Sequence, residues 1–231
     1  MGTELLDRYQ EEWNALLRNH WTKGVGGEEP TNPLLLDFPS AYLAAYYRVM
    51  IFGQETNDWC GIFPHGGGVN HMLKAYKEFC ACRECYSYGG QFWNGVAKLI
   101  DALKTQIQAP GRTMAVMWNN LIKIGKANAK GKPSAAMLDW GDRWFDVVSF
   151  EVNELKPNLV IFFSGPDYDR FITRVFDDAA FEAINAKPVR QLARVKSHWL
   201  PTNSIRTYHP NYLWRHGFYE YVAEIVCAIR S

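Results

Sequence analysis

No run of the sequence approaches the roughly 18 apolar residues of a membrane-spanning helix, so no span is expected. Its start, MGTELLDRYQEEW, carries acidic residues where a signal peptide needs a basic and then an apolar stretch. Cytoplasm is the expected location. Cysteine is sparse and odd in number, five in 231 residues, which speaks against a disulfide framework and for reduced thiols. There is no internal repeat and no low-complexity tract, which removes solenoid and linker architectures. An excess of one charge sign is missing too. With a formal net charge of +1, an anionic partner must be met by a local patch rather than by overall attraction.

What is abundant is apolar and aromatic. Hydrophobic residues make up 48% of the chain, including nine Trp, twelve Tyr and thirteen Phe, enough to bury one large core. A single α/β domain over residues 1–231 fits, since such domains run to about 250 residues. TELLDRYQEEWNALLRN has helical spacing and predicts a helix packed on the outside, followed by a Gly-rich loop, KGVGGEEPTNP. PSAYLAAYYRVMIFG reads as a short helix passing into a strand over residues 48–52, and HMLKAYKEF and FWNGVAKLIDALK as two helices separated by CACRECYSYGG. TMAVMWN and PNLVIFFSG are a second and third buried strand, joined through a basic loop, KIGKANAKGKP, and the helical stripe MLDWGDRWFDVVSFEVNEL. Further on, PDYDRFITRVF predicts a helix, VRQLARV and SIRTYHP short strands, and YLWRHGFYEYVAEIVCAI a closing amphipathic helix. Strand, helix, strand with this punctuation means a parallel sheet with crossovers. The expected fold class is therefore α/β, a three-layer α/β/α sandwich around a short, mainly parallel central sheet.

Three apolar runs end in polar groups: IFGQETN, VMWNN and IRTYHPN. In a parallel sheet such ends gather at one rim, where ligands usually sit. Glu55, Asn119 and His209 can then converge, and a carboxylate, an amide and an imidazole around one cleft make a usable active site. Taken alone, each residue has an ordinary structural role as well. Glu55 suits a turn or helix cap, Asn119 and Asn120 the satisfaction of strand-end backbone, His209 a turn before proline, and Leu213 a helix-face core position.

The order GQET, WNN, FFSG and HPNYLWRHGF, each at a strand end, resembles the uracil-DNA glycosylase superfamily, whose main branch carries GQDPY, LLLN, LLWG and HPSPLSxxRGF at equivalent points. The likeness runs from about Arg48 to the final helix and leaves residues 1–37 outside. It implies a monofunctional DNA glycosylase that hydrolyses the N-glycosidic bond of uracil, or of a modified pyrimidine, flipped out of DNA. Glu55 takes the place of the Asp that orients or activates water, and His209 that of the His that stabilises the departing base as an anion. Asn119 matches the Asn that reads the flipped base by its Watson–Crick edge. Gly53 and Gln54 contact the base, Gln54 through its backbone, and Trp59 or Phe63 supplies an aromatic floor. Leu213 matches the apolar wedge that fills the gap in the stack. Lys123 and Lys126 belong to a phosphate-contacting rim. This chemistry requires no cofactor; DNA in single- or double-stranded form is the expected partner, no metal is expected, and the chain is expected to be a monomer.

The departures carry information of their own. Glu55 is one methylene longer than Asp, and a displacement of about 1 Å can cost on the order of a hundredfold in rate. Thr56 and Asn57 replace Pro and Tyr. That Tyr excludes the thymine methyl in the resembling enzymes, so with Asn57 a larger base becomes admissible. HPNY replaces HPSP, leaving Asn211 to donate to a phosphate oxygen. Basic residues cluster at Lys123, Lys126, Lys130 and Lys132 and again at Arg190, Arg194, Lys196 and Arg206. Cys80, Cys82 and Cys85, with Cys60 as a fourth, lack the spacing of a zinc or iron–sulfur site and are expected as reduced thiols. Two competing classes remain: a nucleic-acid-binding protein of the same fold that does not cut, and a hydrolase of a small nucleoside or other metabolite.

Overall fold

The computed structural model describes residues 3–22, 27–81, 85, 88–107 and 111–230. Its elements in chain order are α1 (Thr3–Arg18), α2 (Ser40–Ala44), β1 (Tyr47–Glu55), α3 (Val69–Ala81), α4 (Gly90–Ile107), β2 (Met114–Ile122), α5 (Ala135–Trp144), α6 (Val148–Leu155) and β3 (Leu159–Phe162). A 3₁₀ turn (Pro166–Tyr168), α7 (Asp169–Val175), β4 (Ala180–Ala183), β5 (Leu192–Lys196), β6 (Ser204–Thr207), α8 (Pro210–Leu213) and α9 (Phe218–Arg230) complete the order. The six strands form one sheet in the order β2-β1-β3-β6-β5-β4. The first four run parallel, and β5 and β4 are antiparallel additions at the far edge.

Alternation along the central strands builds a core on each face, because successive side chains of a strand point to opposite sides. Val49 and Ile51 of β1 join Leu159 and Ile161 of β3 against α4 and α9. Met50 and Phe52 join Val160 and Phe162 against α1, α3, α6 and α7. Helices thus cover both faces, as the near-continuous apolar runs of β1 and β3 require.

Several expectations are met with altered bounds. The first strand carries the polar residues Gln54 and Glu55 within it rather than after it. The stripe over residues 137–155 breaks into α5 and α6, and the closing helix into α8 and α9, with Gly217 at φ 94° between the latter pair. β4 was not anticipated, since its burial is slight and its four residues show no apolar alternation. The N-terminal helix packs on the core through Leu5, Tyr9 and Leu16, all fully buried. Behind it the segment around Leu34–Leu36, also fully buried, crosses the end of β2, where Leu34 N donates to the Lys123 carbonyl. Gly125 fits there because a Cβ would sit 1.5 Å from the Thr56 carbonyl oxygen. This close crossing fixes the chain that leaves β1 against the chain that leaves β2.

Candidate active site

A cleft of about 860 Å³ opens at the carboxyl rim of the parallel strands, where the topology of an open α/β sheet places ligands. Gly53, Gln54 and Glu55 from β1, Asn120 from β2, and His209 and Asn211 from the start of α8 all line it. Residues 55 and 209, 154 positions apart in sequence, therefore face one hollow.

Glu55 is half-buried, and the hydroxyl of Tyr168, from the 3₁₀ turn after β3, donates to its Oε2. Burial, and then the neighbouring Glu55 carboxylate, push the Tyr168 phenol well above its ordinary range, so it is a donor at every pH of interest. Among the described residues, no other hydrogen bond engages the second carboxylate oxygen. His209 caps α8: its Nδ1 accepts the Asn211 N–H at 3.2 Å. Its ring stacks on Phe92 with centroids 5.5 Å apart at 24°. Burial lowers its pKa from 6.5 to about 4. The neutral ring, with Nδ1 occupied as acceptor, carries its proton on Nε2 and can donate from there.

The amide that lines the cleft is Asn120, not Asn119. Adjacent residues of β2 face opposite sides of the sheet, and Asn119 pairs with Phe52 while Asn120 pairs with Gly53. Asn119 is fully buried and gives its amide to the Glu151 Oε2 at 2.8 Å, while its oxygen accepts from Lys123 Nζ at 2.7 Å. Asn120 accepts from the Trp118 indole at 3.2 Å and donates to Thr56 Oγ1 at 3.2 Å, leaving one N–H and one lone pair. Gly53 makes room for it: a Cβ there would lie 2.4 Å from Asn120 Oδ1 and 3.3 Å from Phe92.

Other expected site residues are placed elsewhere. Lys123 is no phosphate contact but half of a buried ion pair with Glu151, 2.8 Å apart, and burial holds its ammonium below the ordinary lysine range. The Tyr9 hydroxyl joins them, donating to Glu151 Oε1 at 2.5 Å. Lys126 is turned toward Glu28, 3.8 Å away. Leu213 is fully buried with Trp93, Val96 and Phe218, so it offers no wedge. Phe63 is buried against Trp13 and Trp140, with centroids 5.2 and 6.0 Å away, and does not reach the cleft. Of the second basic cluster, Arg206 is buried against Asp169 at 2.8 Å, and Lys196 pairs with Glu182 at 2.7 Å. Lys130 does line the cleft, as do Asn57 and Trp59.

Tyr168, Phe92, Trp118 and Asn32 escaped the sequence reading. Asn32 ties down the loop that carries Trp59, donating to the carbonyls of Cys60 at 2.8 Å and His65 at 2.7 Å. The alternation of WNN in β2 was a signal for Trp118 and Asn120 sharing a face; nothing local marks Tyr168 or Asn32. Cys60, Cys80, Cys85 and Cys227 form no disulfide, while Cys82 lies outside the described residues. Among the described residues no group of His, Cys, Asp and Glu is arranged to hold a metal ion, and no helix is long and apolar enough to cross a membrane.

Compared with known proteins, the chain matches no family model and no curated sequence. What defines the class here is the fold and the rim: an α/β domain with a carboxylate, an imidazole and an amide at the carboxyl ends of parallel strands.

Proposed function

We propose that the chain is a monofunctional DNA glycosylase, hydrolysing the N-glycosidic bond of a pyrimidine extruded into the cleft. The observation that carries this reading is the shared exposure of Glu55 and His209 to one hollow beside the Asn120 amide. N-glycosidic cleavage passes through positive charge on the sugar and negative charge on the leaving base, so an anion on one side and a neutral donor on the other lower the barrier at both ends. The C1′–N1 bond breaks with its electron pair going to the base, whose O2 accepts from His209 Nε2–H. Water adds to C1′ and gives its proton to Glu55. The products are an abasic deoxyribose and the base anion, which takes a proton from solvent while Glu55 returns one to it. Tyr168 answers the objection that Glu is longer than Asp, because its hydroxyl holds the carboxylate in one position. Asn120 meets the N3–O4 edge.

A second reading, recognition of an extruded base without cleavage, draws on the same hydrogen bond, since Tyr168 occupies one of the two Glu55 oxygens. Oligonucleotides carrying uracil, single- and double-stranded, followed by alkaline cleavage of abasic sites, separate the two. Hydrolysis is expected from the wild type and not from Glu55→Gln or His209→Ala. Binding without abasic product in any strand would leave only the second reading.

A further inference from the structure

The cleft is much larger than its polar end requires. Its volume of about 860 Å³ lies near the top of the range that encloses whole drug-sized ligands, roughly 300–1,000 Å³, and a bare pyrimidine ring would leave most of it empty. The excess runs away from the strand ends along a wall of rings. Phe92, against His209, contacts Trp93 at 5.2 Å; Trp93 contacts Trp118 at 5.1 Å, Trp118 contacts Phe79 at 5.7 Å, and Trp59 meets both Phe79 at 5.7 Å and Trp118 at 5.9 Å. Trp59, Phe79, Phe92 and Trp118 are all only half-buried, so they present surface to the hollow. Ala75, on α3, is the small residue in this wall.

One residue says what the annex receives. It is Asn57, an exposed cleft residue whose Oδ1 accepts from Gly131 N at 3.4 Å. It leaves open the side of the base that an aromatic residue at this position would close. With O2 at His209 and the N3–O4 edge at Asn120, the ring position on that open side is C5.

We propose that the annex bounded by Trp59, Phe79 and Trp118 is a subsite for the extended 5-substituent of an enlarged pyrimidine. The proposal rests on the glycosylase reading for the orientation of the base. Its substrate class is 5-substituted pyrimidines in DNA, with uracil a poor relative that fills only the polar end.

The test uses the full chain and three single-stranded oligonucleotides, carrying uracil, 5-hydroxymethyluracil and glucosylated 5-hydroxymethyluracil, with release of the base followed together with quenching of tryptophan fluorescence by the corresponding free nucleosides. Cleavage is expected to rise by tenfold or more from uracil to the glucosylated base, a contrast of the size that pocket filling supplies. Ala75→Phe, which fills the annex, should abolish that gain and leave uracil cleavage unchanged. Trp59→Ala, which removes part of the aromatic wall, should reduce it severalfold. Cleavage of uracil that equals or exceeds that of both larger bases, in wild type and variants alike, would overturn the subsite and leave the glycosylase reading standing. No cleavage of any strand, with quenching by the glucosylated nucleoside that Ala75→Phe removes, would sink catalysis and keep the subsite. Neither cleavage nor quenching would end both.

Discussion

At the scale of single residues, the site depends on two groups whose environments set their behaviour. His209 is pushed to about 4 by burial, against an ordinary value near 6.5. Between those two values an unfolded chain takes up a proton at this position and the folded chain does not, so stability falls as pH drops through that window. Urea titrations at several pH values should show this slope, and His209→Gln should remove about one proton's worth of it. An imidazole NMR titration should find its midpoint near 4; a midpoint near 6.5 would mean a solvated ring and a site built differently. Tyr168 acts one step further out, as a positioning residue. Tyr168→Phe deletes one hydrogen bond to Glu55, and we expect kcat to fall by about tenfold to a hundredfold with KM nearly unchanged, on the scale of small misplacements of a reacting group. A fall in kcat/KM carried by KM instead would assign Tyr168 to binding.

At the scale of elements, the ends of β1 and β2 are held by contacts that come from the opposite face of the sheet. Tyr9 from α1, Glu151 from α6, Asn119 from β2 and Lys123 just beyond its end form one closed network, and Asn119 Oδ1 also accepts the backbone N–H of Asn120 at 2.8 Å. The network therefore fixes the strand position that presents Asn120 to the cleft. Lys123→Met leaves Glu151 without its cation in a dry interior and should cost about 3–5 kcal/mol in urea denaturation, whereas Lys132→Met, on an exposed loop, should cost almost nothing. Equal effects would contradict the burial of the pair. This network also shows how far the sequence could be read. The parallel strands were legible because long β-branched runs with Gly stops leave few alternatives, and Glu55 and His209 because strand ends gather at one rim. Asn119 was preferred to Asn120 because a motif supplies a position but not a pleat. Lys123 read as part of a basic loop because its partner, Glu151, lies 28 residues away on a helix whose inward face could not be told from the pattern. Leu213 was evenly balanced between wedge and core. The break between α8 and α9 decides it, by turning that short helix onto α4.

At the scale of the whole molecule, the arrangement of charge and of apolar surface bears on which form of DNA the proposed glycosylase would act on. Within the two basic clusters, Lys123 and Arg206 are buried in ion pairs, and Lys196 is matched across strands. Around the cleft remain Lys130, which lines it, Lys132 in the same exposed loop, and Arg215, whose Nε donates to the carbonyl of the cleft residue Asn211 at 3.2 Å. Three cations on a single strand predict a slope of log K against log salt of about −2, from roughly −0.7 per phosphate. The burial of Leu213 has a second consequence. Extruding a base from a duplex costs a few kcal/mol in lost pairing and stacking, and an apolar wedge is the usual means of offsetting it. At the position where one was expected this chain has none, so that cost falls on the cleft alone. Cleavage of a single strand should then exceed that of the same base paired in a duplex by tenfold or more, and a mismatch should recover much of the difference. Measured rates that are equal for paired and single-stranded substrate would require another side chain to fill the gap, and the half-buried Tyr212 and Trp214 beside Leu213 would be the first to replace with alanine.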